Sequence, residues 1–192
     1  DFLWSYNEKL DKTGFSTRAI HYGQPPDPFY GSVNMPIHLT STYAQYDAAD
    51  PYFKFDYSWC GNPTREALET AVASLEGGKH CLATSAGCAA TMIIAHLLKS
   101  GDHIVLVDDV YGGTGRFFRR IASEIYGMTC DFVDMTNMNN LKKAIKKNTK
   151  LVWLETPTNP TLKCIDIQAA TKICKERGVL TGVDNTFRSP VF

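Results

Sequence analysis

Four short segments bring together residue types that can do chemistry, and each follows an apolar run. Ser85-Ala86-Gly87-Cys88 is a small-residue turn in front of a helical pattern. Free backbone N–H groups and the positive end of a helix dipole make such a turn able to cradle a phosphate, although plain packing uses the same turn. In Asp108-Asp109-Val110-Tyr111-Gly112-Gly113, Tyr111 lies between a strand end and a helix start. Its ring can stack on a flat ligand or plug the top of the core, while Asp109 reads as a turn or helix-approach residue. Glu155-Thr156-Pro157-Thr158-Asn159-Pro160-Thr161 carries two prolines that stiffen the loop and fix the direction of Asn159. Such a rigid polar loop suits small-ligand recognition, and turn chemistry alone also accounts for its residues. Val183-Asp184-Asn185-Thr186 ends an apolar run on an acid. A carboxylate there needs several hydrogen bonds or a cationic partner, such as the protonated nitrogen of a heteroaromatic ring, unless it caps the next turn.

These segments depend on the elements that position them. Asn62 as cap, Pro63 in the first turn, apolar Leu68, Val72 and Leu75, and the stop Gly77-Gly78 predict a helix. A short strand is expected over 81–84, followed by a helix over 88–99 and a strand over 103–107. Further along, helices are expected over 115–126, 138–147 and 167–177, with strands over 129–133, 150–155 and 179–183. Apolar strands alternating with helices of about ten residues predict an α/β fold whose mostly parallel sheet is sandwiched by helices. In that architecture ligands bind beyond the carboxyl ends of the strands, where the four segments fall. Residues 1–55 are rich in aromatics and proline, with Pro25, Pro26, Pro28, Pro36 and Pro51 blocking long helices. They read as an extended N-terminal arm, apolar enough to be held by another surface. The expected division is therefore an arm over 1–55 and an α/β domain over 56–192.

The chain has 192 residues, with 20 Lys plus Arg against 20 Asp plus Glu, so a globally basic nucleic-acid binder is excluded. The lysines at 142, 143, 146, 147 and 150 read as the solvated face of a helix whose Leu141, Ala144 and Ile145 point inward. The five histidines have no metal-ligand spacing, and the G-x-G-x-x-G fingerprint of dinucleotide sites is absent. Six cysteines without a C-x-x-C pair read as buried reduced thiols of a cytoplasmic protein. No apolar run is long enough to span a membrane.

The segments 57–65 (Tyr-Ser-Trp-Cys-Gly-Asn-Pro-Thr-Arg), 108–114, 155–161 and 183–187 together resemble the transsulfuration family of pyridoxal 5'-phosphate (PLP) enzymes, from about residue 15 onward. The resemblance implies the large domain of a fold-type I enzyme, here incomplete. Tyr111 would stack on the cofactor ring as a catalytic residue, and Asp184 would pair with the ring nitrogen. Gly87 and Cys88 would hold the phosphate, with Asn159 and Thr186 near the ring. Tyr57 would reach the phosphate of a neighbouring subunit in a homo-oligomer of the tetrameric type. The implied reaction is γ-elimination of cystathionine, a small amino-acid substrate, to cysteine, 2-oxobutanoate and ammonia. A cystathionine γ-synthase-like transferase and a non-catalytic binding homologue are the alternatives. Gly113 stands where methionine γ-lyases of the family carry cysteine. This sequence departs from the family in having Trp59 for an arginine and Ala86 for a serine. The lysine that links covalently to the cofactor is expected beyond Phe192, so the chain reads as an N-terminal fragment.

Overall fold

A computed structural model describes residues 2–191. The chain divides into two compact units, one up to Ala83 and the other from Thr84.

The first unit contains helices α1 (Phe2–Leu10), α2 (Phe15–His21) and α3 (Pro63–Glu76), with a small antiparallel pair β1 (Gln45–Asp47) and β2 (Asp50–Pro51). The two short helices inside the expected arm both precede Pro25, so the proline block does not reach them. α3 begins and ends as its sequence requires. Asn62 Oδ1 accepts the N–H groups of Thr64 and Arg65 at 2.9 and 3.3 Å, and Gly77 closes the helix in the left-handed region at φ 65°. The face that packs is the small stripe Ala67 and Ala71, while Leu68 is exposed. Gly23, at φ +78°, lies against that stripe, where an added Cβ would sit 2.8 Å from the Ala67 carbonyl. The strand expected over 81–84 does not form. The Ala83 N–H is taken by the Glu69 side chain at 2.9 Å instead of by a neighbouring strand.

The second unit is built on a four-stranded, all-parallel sheet of β3 (His103–Val107), β4 (Thr129–Val133), β5 (Thr149–Glu155) and β6 (Leu180–Asp184), in the order β4-β3-β5-β6. Its helices are α4 (Gly87–Ala95), α5 (Gly112–Arg116), α6 (Met138–Ala144) and α7 (Ile167–Glu176). α4 is shorter than expected because its end tightens into three-residue turns and Asp102 Oδ2 captures the Lys99 N–H at 2.9 Å. α5 starts three residues before its expected first residue, with Gly115 N–H bonded to Tyr111 O at 2.8 Å, so glycine-poor propensity is overridden here. It continues as a π-helical segment, Phe117–Ala122.

The two central strands explain the core. Ile104, Val105, Leu106 and Val107 of β3 and Leu151, Val152, Trp153 and Leu154 of β5 are all buried, as strands covered on both faces must be. Phe118 packs on Trp153 with ring centroids 6.1 Å apart. Gly182 makes room for the same indole: a Cβ there would lie 2.9 Å from its ring. Leu141 and Ile145 are buried and all five lysines are exposed as expected, but α6 ends at Ala144, so only Lys142 and Lys143 lie on it, Lys146 and Lys147 follow it and Lys150 lies on β5. All six cysteines are free thiols, but only Cys174 is buried, and Cys60, Cys88 and Cys164 are exposed, which corrects the expectation of buried thiols. No helix is long and apolar enough to cross a membrane among the described residues.

At the amino-terminal edge of the sheet a polar cluster ties three strands together. His103, with no exposed surface, meets Thr149 Oγ1 through Nδ1 at 2.8 Å and Asp131 Oδ2 through Nε2 at 3.2 Å. Lys146 lies 2.6 Å from Asp131 and 3.2 Å from the same ring nitrogen. Burial first, and then the Lys146 charge, hold the His103 pKa below its ordinary 6.5, against the opposing pull of Asp131.

Two outcomes follow. Gly182→Val drives a side chain into a fixed indole and should cost about 1–3 kcal/mol, read as a lower urea midpoint at unchanged m-value. Because the unfolded chain takes up the His103 proton first, the stability tied to the neutral ring is complete above pH 6.5 and declines as pH falls below it. The urea midpoint of His103→Gln should therefore change less between pH 7.5 and 5 than that of the unsubstituted protein.

Candidate cofactor site

The strand order brings the site about. β3 connects to β4 on one side and β5 connects to β6 on the other, so the loops leaving β3 and β5 diverge and leave a crevice at their carboxyl ends. A cavity of about 390 Å³ opens there, lined by Ala86, Gly87, Cys88, Tyr111, Thr114, Glu155, Pro157, Asn159, Asp184, Thr186 and Phe187. The structure thus gathers Gly87, Cys88, Tyr111, Asn159, Asp184 and Thr186 around one space. Tyr57 belongs to the first unit, where it bridges to Thr42 and its ring lies 6.2 Å from that of Trp59.

Each wall has a local cause. Gly87 and Cys88 open α4, where helical geometry supplies no carbonyl for the first amides. Ala86 caps the helix without a side-chain hydrogen bond, and a Cβ at Gly87 would meet open space. This end is a concave, N–H-rich surface suited to an anion.

The opposite side is acidic. Asp184 is the last residue of β6, one position further into the strand than expected. Its Oδ1 accepts the Thr186 N–H at 3.0 Å and the Thr186 hydroxyl, which fixes the carboxylate and leaves Oδ2 outside these bonds.

The aromatic wall is Tyr111, partly exposed at 46%. A Cβ at Gly113 would lie 2.6 Å from the Tyr111 ring and 3.1 Å from Cys88 Sγ. The pose of Tyr111 therefore requires glycine at 113.

Sequence reading missed the residues that hold these walls. Glu155, only 4% exposed, accepts the Tyr111 N–H through Oε2 at 2.8 Å and the Asn159 N–H through Oε1 at 2.9 Å. Burial raises its pKa above the ordinary 4.5, with Asp184 and Asp109 adding to the rise and the two amides opposing it. Asp109 is more than a turn residue: Oδ2 accepts the Thr158 hydroxyl at 2.6 Å, the Thr161 N–H at 3.1 Å and the Thr161 hydroxyl. Hydrogen bonds from Thr158 and then Thr161 hold its carboxyl below the usual range. Lys163 Nζ pairs with Asp108 at 2.9 Å, joining the same two loops again. The signal for Glu155 was present, since it ends the run Leu-Val-Trp-Leu on an acid just as Asp184 ends Gly-Val.

The residues present fit a flat heteroaromatic group that is cationic at one end and anionic at the other. Amides meet the anion, a fixed carboxylate meets the cation, and a phenol ring forms a side wall.

Comparison with known proteins agrees with that chemistry. Residues 16–192 match the family of Cys/Met metabolism PLP-dependent enzymes. The chain is 50% identical over 177 residues to the probable cystathionine γ-synthase of Herpetosiphon aurantiacus, covering 92% of this chain and 55% of that protein. It is 51% identical over 179 residues to the cystathionine γ-lyase of Macaca fascicularis, covering 93% and 44%. The solved structure of metB from Corynebacterium glutamicum is similar with a TM-score of 0.90 at 46% identity, covering 94% of this chain and 47% of that one. This chain spans about half the length of these relatives. With the family match running through every segment that lines the cavity, the chain belongs to the Cys/Met metabolism family of PLP-dependent enzymes.

Proposed function

We propose that this chain carries the ring-binding side of a PLP-dependent carbon–sulfur lyase that cleaves cystathionine by γ-elimination, giving cysteine, 2-oxobutanoate and ammonia. The observation that carries the reading is the joint presence of Asp184, Tyr111 and the α4 amino terminus on one cavity. When bound, PLP supplies an electron sink for negative charge developed on a substrate amino acid. Asp184 keeps the ring nitrogen protonated by charge pairing, and Thr186 keeps that carboxylate from rotating away. Gly87 and Cys88 direct their amides at the phosphate. Tyr111 would cover one side of the ring and shield it from water, and Asn159 would lie near it on the same cavity.

Tyr57 and Trp59 enter the proposal through a second subunit, with the arm 1–55 as the contact between subunits in a homo-oligomer. Trp59 is 84% exposed, as expected of a residue at a position meant to reach outward. A synthase-like reading, forming cystathionine from cysteine, is favoured by one specific feature, the likeness to the Herpetosiphon aurantiacus relative named as a probable cystathionine γ-synthase. Both readings use the same residues for the cofactor.

Purified full-length protein loaded with PLP should release 2-oxobutanoate from cystathionine. Net formation of cystathionine, without that release, would favour the synthase. Asp184→Asn should lower the rate by about 10²-fold or more, since it removes the charge that the ring nitrogen requires. Trp59→Arg should tighten PLP by about tenfold by adding a charge-assisted contact to the phosphate; an unchanged Kd would remove residue 59 from the site.

A further inference from the structure

We propose that Glu155 is the positioning residue of this site, its ionised carboxylate setting the distance between the Tyr111 wall and the Asn159 wall by accepting one backbone N–H from each. The inference rests on the functional reading above for its consequence, but its geometry stands alone.

Tyr111 follows β3 and Asn159 follows β5, on the two loops that diverge at the crevice. Divergent loops share no ladder, so their relative position has to come from side chains. Glu155 is the last residue of β5 and reaches both: Oε2 to the Tyr111 amide at 2.8 Å and Oε1 to the Asn159 amide at 2.9 Å. The arrangement is bidentate and charge-assisted, which makes it both strong and directional. No ion pair neutralises Glu155 among the described residues, and its neighbours in charge are acids, Asp184 on β6 and Asp109 on the loop after β3. A carboxylate buried beside two like charges opposes folding unless its hydrogen bonds compensate, so mere packing would favour glutamine or an apolar residue here. Neither could do the same work. Glutamine presents one acceptor oxygen and one NH2 group, so one of the two amides would face another donor. Aspartate is one methylene shorter and cannot reach both.

Protonation weakens the clamp in the same way, because one oxygen becomes a hydroxyl. With the pKa of Glu155 raised above 4.5 by burial, the clamp loosens on the acid side at a pH where exposed glutamates remain ionised.

The test needs no cofactor for its first arm. Amide proton and nitrogen shifts of Tyr111 and Asn159, followed from pH 7.5 to 3.5 in the PLP-free protein, should move with one shared midpoint above 4.5, and Glu155→Gln should abolish that transition. Separate midpoints for the two amides, or a shared transition that survives Glu155→Gln, would overturn the proposal; the titration of the unsubstituted protein decides even if the variant does not fold. In the second arm, PLP affinity of Glu155→Gln should fall on the order of tenfold, with Glu155→Asp failing to restore it. Affinity equal to that of the unsubstituted protein would also overturn the proposal. If the unsubstituted protein binds no PLP, the functional reading fails while the amide titration still judges the clamp.

Discussion

In a parallel sheet all strands end on the same edge, and the order β4-β3-β5-β6 makes two adjacent strands send their chains in opposite directions. The site depends on that parting. Between β3 and β5 the backbone cannot close over the sheet, so the space is left to side chains and to whatever binds there. The protein answers by cross-linking the two loops: Glu155 to the amides of Tyr111 and Asn159, Asp109 to Thr158 and Thr161, and Lys163 to Asp108. A crevice that topology would leave loose thereby becomes a cavity with fixed walls.

Strand and helix order were legible because apolar periodicity dominated. The β3 and β4 limits coincide with the expected ones, since the apolar run Ile-Val-Leu-Val marks the buried β3, and β4 pairs with that strand residue for residue. Failures cluster where side chains replace backbone partners. Glu69 takes the N–H that an edge strand over 81–84 would have paired, Asp102 ends α4, and a run of glycines concealed the start of α5. The Glu69 bond spans 14 residues and the Asp102 bond three, and neither leaves a periodic trace in the sequence.

The candidate site was half legible for a related reason. Gly87, Tyr111, Asn159 and Asp184 could be picked out because each follows or closes an apolar run of the kind read as a strand and is of a type suited to a ligand. Glu155 and Asp109 act on the protein itself, through bonds spanning 44 and 49 residues. Local reading assigns them to turns. The physical clue to Glu155 is its position as an acid closing a buried apolar strand, which demands compensation wherever it occurs.

The two ends of the sheet are occupied by opposite solutions to the same electrostatic problem. At the strand beginnings, His103 stays neutral and Asp131 is answered by Lys146 at 2.6 Å, so charge is satisfied within the protein. At the strand ends, Asp184 and Glu155 sit side by side in register, with amides and a hydroxyl but no paired cation among the described residues. Lysine is present nearby, yet Lys163 is committed to Asp108. An edge that retains uncompensated negative charge next to a helix amino terminus presents both signs across one cavity. That asymmetry suits a ligand that carries both signs, since a simple anion or cation would answer one wall alone.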